Sequence, residues 1–263
     1  MTQGLSWQQG PPSVSEVASA ARKLKVNKAV GPDGVPNAFL RVPEVQDKVA
    51  EFFREAYANS PPPEWLRSET QLLYKKGNRM ELGNYRQIVL SSCCSKLYNA
   101  VMRERIRQSL RDKIGQENSV LLPTQNGGRP GRGTSEHVLC LRSVVQQVSM
   151  EKNSAAFMVF IDFTTAFDSI YWSALEKLLE AYGMPDALRK AIIATYRGAT
   201  TQVRTPHGLT EAIELCSGVL QGDTLAPTLF ILVIDAIMRE IEGVDDQRRE
   251  FASGQLVDAG TSG

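Results

Sequence analysis

Residues Met158 to Asp168 read MVFIDFTTAFD, an almost unbroken apolar run that ends on a carboxylate, with an aromatic residue five positions later. Val159, Phe160 and Ile161 suit a strand buried on both faces, so the run predicts a strand over Phe157–Phe163 rather than a short helix. Such a strand would deliver Asp162 at its end, where a metal could meet the charge. Taken alone, the segment is read more plainly with Asp162 capping the turn that follows.

A second stretch, Gly218 to Pro227, reads GVLQGDTLAP and opens an apolar helix over Leu225–Ile241. Its glycines let backbone approach something closely. Gln221 offers a donor and an acceptor, as contacts to a nucleotide require. An ordinary glycine turn before a core helix accounts for the stretch equally well.

Together the two stretches resemble motifs A and B of reverse transcriptases, particularly those of LINE-type (non-LTR) retrotransposons. Three further segments follow the same family's order. KAVGPDGVPNAFL (Lys28 to Leu40) looks like its fingers entry, and NYRQIVLSSCCSKLYNAVMRERI (Asn84 to Ile106) is similar to its second fingers motif. QNGGRPGRGTSEHVLCLR (Gln125 to Arg142) matches the segment before motif A, so the resemblance runs from about Val14 to about Glu242.

The resemblance implies an α+β fold: the fingers and partial palm of a right-hand polymerase, with helices around a small, mostly antiparallel sheet. It divides the chain into a flexible tail (1–12), fingers (13–133), palm with motif A (134–172), a connection (173–217), palm with motif B and its helix (218–243) and a disordered tail (244–263). The implied function is an RNA-directed DNA polymerase domain fragment. It would act on an RNA template and a DNA primer with deoxynucleoside triphosphates, by two-metal phosphoryl transfer. The alternative is a polymerase-like relic that binds RNA or DNA without catalysis; an unrelated α/β protein with chance matches is a third reading.

Two magnesium ions ~3.5–4 Å apart stabilise the attacking and leaving oxygens in that chemistry, and Mg2+ prefers hard oxygen ligands. By resemblance Asp162 is the motif A ligand and the Phe163 carbonyl a second. Phe167 resembles the aromatic steric gate that favours deoxynucleotides, against a plain core aromatic. Gln221 and Gly222 would lie against the incoming nucleotide. Arg86 matches the fingers arginine, whose guanidinium could grip a triphosphate, and Lys75 or Lys76 could add a phosphate contact, against a solvated surface charge. Arg103, Arg107, Arg129 and Arg132 would meet template or primer phosphates.

The sequence departs from the family at Gln87, where proline is usual, and at Gly128, where an aromatic is common; both departures would loosen the fingers. Motif C, an aromatic residue and two aspartates on a tight hairpin, has no counterpart. Asp245 and Asp246 are adjacent acids, but the polar residues Gln247 to Glu250 follow them and no apolar strand can form there. The chain therefore reads as a polymerase domain cut short before motif C.

Composition is that of a soluble globular protein of 263 residues and net charge +1. Within it, Arg67 to Lys113 holds eleven bases against four acids, and residues 211–263 hold ten acids against three bases. No apolar stretch reaches the ~18 residues of a membrane span, and MTQGLSWQQGPPS lacks a signal pattern, so an intracellular protein (cytoplasm or nucleus) is expected, with no membrane partner and no oligomer. Cys93, Cys94, Cys140 and Cys216 form no CxxC pair and read as buried, reduced thiols rather than zinc ligands.

The remaining pattern is local. A helix is predicted from Val14, capped by Ser13 or Ser15, another over Val45–Tyr57, and a strand pair at Glu69–Tyr74 and Arg86–Leu90. A basic helix follows from Ser95, with Tyr98, Met102, Ile106 and Leu110 on one face. A helix capped by Thr134, helices near Ser173–Tyr182 and Pro185–Arg197, and a hairpin of Thr200–Arg204 with Thr210–Leu215 complete the expectation.

Overall fold

The computed structural model describes residues 5–111, 121–122, 124–129, 132–152 and 155–258. The chain divides into two compact units, Met1–Val120 with Val159–Leu229, and Leu121–Met158 with Phe230–Gly263.

The first unit begins with helix α1 (Val14–Lys23), closed at its start by a capping box in which Ser13 and Glu16 satisfy each other's backbone N–H groups. Helix α2 (Pro43–Ala58) starts on a proline and stops at Asn59, before three consecutive prolines that cannot continue it. Helix α3 (Cys93–Arg111) buries Tyr98, Met102, Ile106 and Leu110, the face its apolar spacing predicts. Phe53 of α2 meets Trp65 and Tyr98 edge-on, and those two rings are tilted against each other, with centroids 5.1–5.8 Å apart.

Arg105 of α3 is buried beneath α1. Its Nε and Nη2 donate to the Glu16 carboxylate at 2.7 and 2.9 Å, and Nη1 donates to the Gly10 carbonyl. The pair ties α1 and the extended residues before it to α3.

Strands β1 (Arg67–Tyr74) and β2 (Tyr85–Ser91) form the predicted hairpin, in register from Ser68↔Ser91 to Tyr74↔Tyr85. Gln87 sits inside β2 opposite Leu72, so the residue at the usual proline position joins the ladder instead of loosening it. Strand β3 (Thr200–Thr205) runs parallel to β1, and the Thr70 and Thr201 hydroxyls share a buried 2.8 Å hydrogen bond. Along its other side β3 pairs antiparallel with β4 (Gly208–Leu209) and β5 (Ile213–Glu214), giving a sheet of order β2-β1-β3-β4. Helices α5 (Trp172–Ala181) and α6 (Asp186–Ala194) precede β3, separated by Gly183 in the left-handed region at φ 68°. The architecture is a mixed α/β fold built on one small sheet.

The GPDG turn does more than end the first helical segment. A Cβ on Gly31 would lie 2.0 Å from the Ser91 carbonyl oxygen, so only glycine fits against the end of β2. Asp33 reaches across to accept the Cys93 N–H at 2.7 Å, satisfying a donor at the start of α3.

In the second unit, α4 (Thr134–Met150) starts with the Gly133 N–H donating to Glu136, so Thr134 is its first residue rather than its cap. Arg129 is buried, donating to the carbonyls of Leu122 and Gln125, and is thus spent on its own loop rather than offered to phosphate. Gly128 has φ 67°, and a Cβ there would meet Ile231 Cδ1 at 2.4 Å; a side chain at this position would strain the loop, so glycine tightens it.

Helix α7 (Ala226–Asp258) is longer than the predicted Leu225–Ile241. It continues through Asp245 and Asp246, where no hairpin forms, and through most of the stretch expected to be a disordered tail. Arg, Glu, Gln and Ala there are good helix formers and no proline interrupts them. The expected tail residues 259–263 lie outside the described residues. Cys93 is buried and Cys94 half-buried, but Cys140 and Cys216 are exposed, against the expectation of buried thiols. Among the described residues no helix is long and apolar enough to cross a membrane.

Candidate functional site

The run that ends on Asp162 does not form the expected strand. Residues 155–163 carry no regular secondary structure, and Phe157, Val159, Phe160 and Ile161 are each more than 70% exposed. A strand needs neighbours for its N–H and C=O groups. Among the described residues the five strands pair only among themselves, and none pairs with this segment. Asp162 is exposed and Phe163 nearly half so.

Order returns just beyond. Residues 164–169 form a turn in which the Asp168 and Ser169 N–H groups both donate to the Thr165 carbonyl. Thr165 adopts φ 51°, the one non-glycine residue in the left-handed region among the described residues. For a β-branched side chain that conformation stores ~1–3 kcal/mol, which the surrounding contacts must offset.

Those contacts come from the second stretch. The Phe167 carbonyl accepts the Val219 N–H at 2.9 Å, and the Ile170 carbonyl accepts the Gly218 N–H at 2.8 Å. Trp172 Nε1 donates to the Gly218 carbonyl at 2.7 Å, and Ser217 Oγ donates to that of Asp168. At Gly218, φ is 85° and a Cβ would stand 2.8 Å from Asp168 Cα, so the close approach needs glycine. Asp168 contributes backbone to this junction.

The elbow then reaches β2. The Gln221 carbonyl accepts the Val89 N–H at 3.0 Å, while Gly222, at φ 118°, brings its Cα so near that a Cβ would lie 2.8 Å from the Val89 oxygen. Arg86 is exposed three residues earlier on β2, and Gln221 and Gly222 are exposed on the elbow. Backbone bonds thus join the segments carrying Phe167, Gln221, Gly222 and Arg86. Lys75 follows β1, its N–H bonded to the Asn84 carbonyl, in a loop braced by Tyr74 Oη to Gly77, Asn84 Nδ2 to Asn78 and Tyr85 Oη to Arg79.

Asp223, which the sequence reading passed over, anchors the elbow from below. It is buried and accepts from Asn99 Nδ2 at 3.0 Å and from Tyr196 Oη at 2.9 Å. Burial pushes its carboxyl above the usual range, and the donors from Asn99, Tyr196 and the Leu225 and Thr224 backbone offset only part of that. An acid directly after a Gln-Gly pair, at the entrance to an apolar helix, was the available signal.

The residues present do not fit a pair of magnesium ions. Among the described residues no three His, Cys, Asp or Glu side chains gather as a metal site. Asp162 and one carbonyl supply too little negative charge for two divalent cations that repel each other, so no bond-making step is assigned to a metal held by them.

A family model described as reverse transcriptase (RNA-dependent DNA polymerase) matches residues 73–249, more than half of the chain. The chain belongs to the reverse transcriptase family. The Pol polyprotein of the type-1 retrotransposable element R2 of Nasonia vitripennis is 24% identical over 81% of the chain and 20% of its own length. That of the type-2 element R2DM of Drosophila melanogaster is 23% identical over 87% of the chain and 21% of its own length. A probable RNA-directed DNA polymerase from the Drosophila melanogaster transposon BS is 27% identical over 84% of the chain and 24% of its own. The chain thus spans a fifth to a quarter of the length of these relatives, and it is a reverse transcriptase domain of the non-LTR retrotransposon type. The matched span of the reverse transcriptase model includes β2, the Phe167 turn and the Gln221 elbow.

Proposed function

We propose that this chain forms the fingers (13–133) and palm segments (134–172 and 218–243) of a right-hand polymerase, which grips an RNA template with a DNA primer and seats a deoxynucleoside triphosphate. The observation that carries the reading is the pair of backbone bonds Phe167–Val219 and Gln221–Val89. They hold the proposed steric gate, the nucleotide-facing Gln221 and Gly222 and the strand of Arg86 in one connected framework. Preorganised backbone of this kind reduces the entropy lost on seating a substrate. Lys75 adds a phosphate contact from the braced loop, and Arg103, Arg107 and Arg132 add charge toward the nucleic-acid backbone. Asp162 and the Phe163 carbonyl are the proposed Mg2+ contacts, too few by themselves to hold a pair of ions.

A second reading, nucleic-acid binding without catalysis, is favoured because no three metal-ligating side chains gather among the described residues. Binding of a fluorescent RNA–DNA hybrid and of nucleotide, followed by primer extension, separates the two. Both readings expect salt-sensitive hybrid binding. The polymerase reading also expects Arg86→Ala and Gln221→Ala to weaken nucleotide binding about tenfold, roughly the loss of one charge-assisted hydrogen bond. If both variants bind nucleotide like the unaltered chain, the proposed seat is wrong. Extension that disappears with Asp162→Asn would remove the non-catalytic reading.

A further inference from the structure

Away from the motif junction, a cavity of about 670 Å3 opens beside the first turn of α3. Phe39, Leu40, Val45, Val49, Phe52 and Trp65 supply apolar walls, Cys93 and Cys94 line it at the start of α3, and charged residues, Asp33 and Lys48 among them, also border it. Its size lies within the ~300–1,000 Å3 of small-molecule sites. Nothing in the polymerase reading uses it.

The two thiols differ in setting. Cys93 is buried, while Cys94 is half-buried and reachable from the cavity. Hydrogen bonding from the Cys93 thiol stabilises a thiolate at Cys94; burial and the Asp33 charge oppose it, and Cys94 lies below the ordinary thiol range. The same contact, with burial and the Asp33 charge, pushes the Cys93 thiol up. Both cysteines lie on the first turn of a 19-residue helix, whose dipole favours an anion.

We propose that this cavity captures small apolar electrophiles covalently, with Cys94 as the nucleophile. The compounds that fit carry an aromatic or alkyl body for the apolar walls and a conjugated carbonyl. The Cys94 thiolate gives an electron pair to the β-carbon, forming an S–C bond as the C=C π bond breaks. The electrons pass to the carbonyl oxygen as an enolate, which takes up a proton from water, replacing the one the thiol lost. No leaving group and no oxidant are involved.

Cys140 and Cys216 are exposed and serve as internal comparisons. The native chain is treated with limiting N-phenylmaleimide or with a sulfonated maleimide, and adducts are located by peptide mass spectrometry. N-phenylmaleimide should label Cys94 about tenfold faster than Cys140 or Cys216, and the charged reagent should reverse that order. Phe52 is more than half exposed, so Phe52→Glu tests the apolar wall with little risk to the fold and should abolish the phenyl preference. Preferential labelling of Cys140 and Cys216 by the phenyl reagent, or an unchanged Cys94 rate in Phe52→Glu, overturns the proposal.

Discussion

Gly222 and Asp223 show how single residues fix the elbow from opposite sides. Gly222 combines φ 118° with a virtual Cβ 2.8 Å from the Val89 oxygen, so Gly222→Ala meets both backbone strain and a backbone clash. The expected loss is ~1–3 kcal/mol, read as a lower urea midpoint at an unchanged m-value. Asp223 acts through charge. Its carboxyl is raised by burial in the fold, so the unfolded chain releases the proton first and Asp223 costs stability as pH rises from its ordinary value of 3.8 through the folded value. In Asp223→Asn the replacement amide does not titrate, and Asn99 can turn its unpartnered Oδ1 toward it. That variant should therefore gain on the native chain between pH 4 and pH 7 in urea unfolding; a constant difference across that range contradicts a raised carboxyl. Glycines such as Gly218 and Gly222 are legible in sequence because a tight approach demands them. The position of Asp223 after Gln221 and Gly222 is legible too, but its burial is not, because its partners Asn99 of α3 and Tyr196 just past α6 are distant in the chain.

At the scale of elements, the Glu16–Arg105 pair, with its guanidinium buried and its carboxylate half-buried, ties α1 to α3. Burial raises the Glu16 carboxyl, but the Arg105 guanidinium and Ser13 outweigh that and hold it below its ordinary 4.5. Its contribution is thus full above the unfolded value and is lost as pH falls through the lower, folded value. Glu16→Gln leaves Arg105, 2% exposed, without its counter-charge, and should cost ~3–5 kcal/mol at pH 7. The deficit against the native chain should shrink in acid; a deficit independent of pH would mean lost packing instead. Local pattern made these helices legible: the Ser13–Glu16 cap, the four-residue stripe of α3 and the proline stop of α2 all lie within a few turns of chain. The 157–163 run was misread because an apolar strand is defined by neighbours, and apolar content alone does not provide them. The length of α7 is not legible in sequence because its end mixes helix formers such as Arg248, Arg249 and Glu250 with Asp, Val, Ser and Gly, and propensity alone is a weak guide.

Across the whole molecule the net charge of +1 conceals an uneven distribution along the chain, with eleven bases against four acids in Arg67 to Lys113. Counterions released from a nucleic-acid backbone make affinity fall with salt, and each phosphate neutralised adds roughly 0.7–0.9 to the slope of log K against log salt. Lys75 and Lys76 are exposed on a loop whose backbone is held by Tyr74, Asn84 and Tyr85. Their charges are therefore presented from a fixed frame, and replacing both with alanine removes charge without removing packing. Lys75→Ala with Lys76→Ala should lower the magnitude of the salt slope for an RNA–DNA hybrid by about 2, weakening all sequences alike and leaving the urea midpoint in place. Arg129→Ala offers the contrast, because that guanidinium is buried on the carbonyls of Leu122 and Gln125. It should lower stability and leave the slope unchanged. A slope that responds to Arg129 and ignores the two lysines would put the phosphate contacts elsewhere, and with them the proposal that the β1–β2 loop grips the nucleic acid.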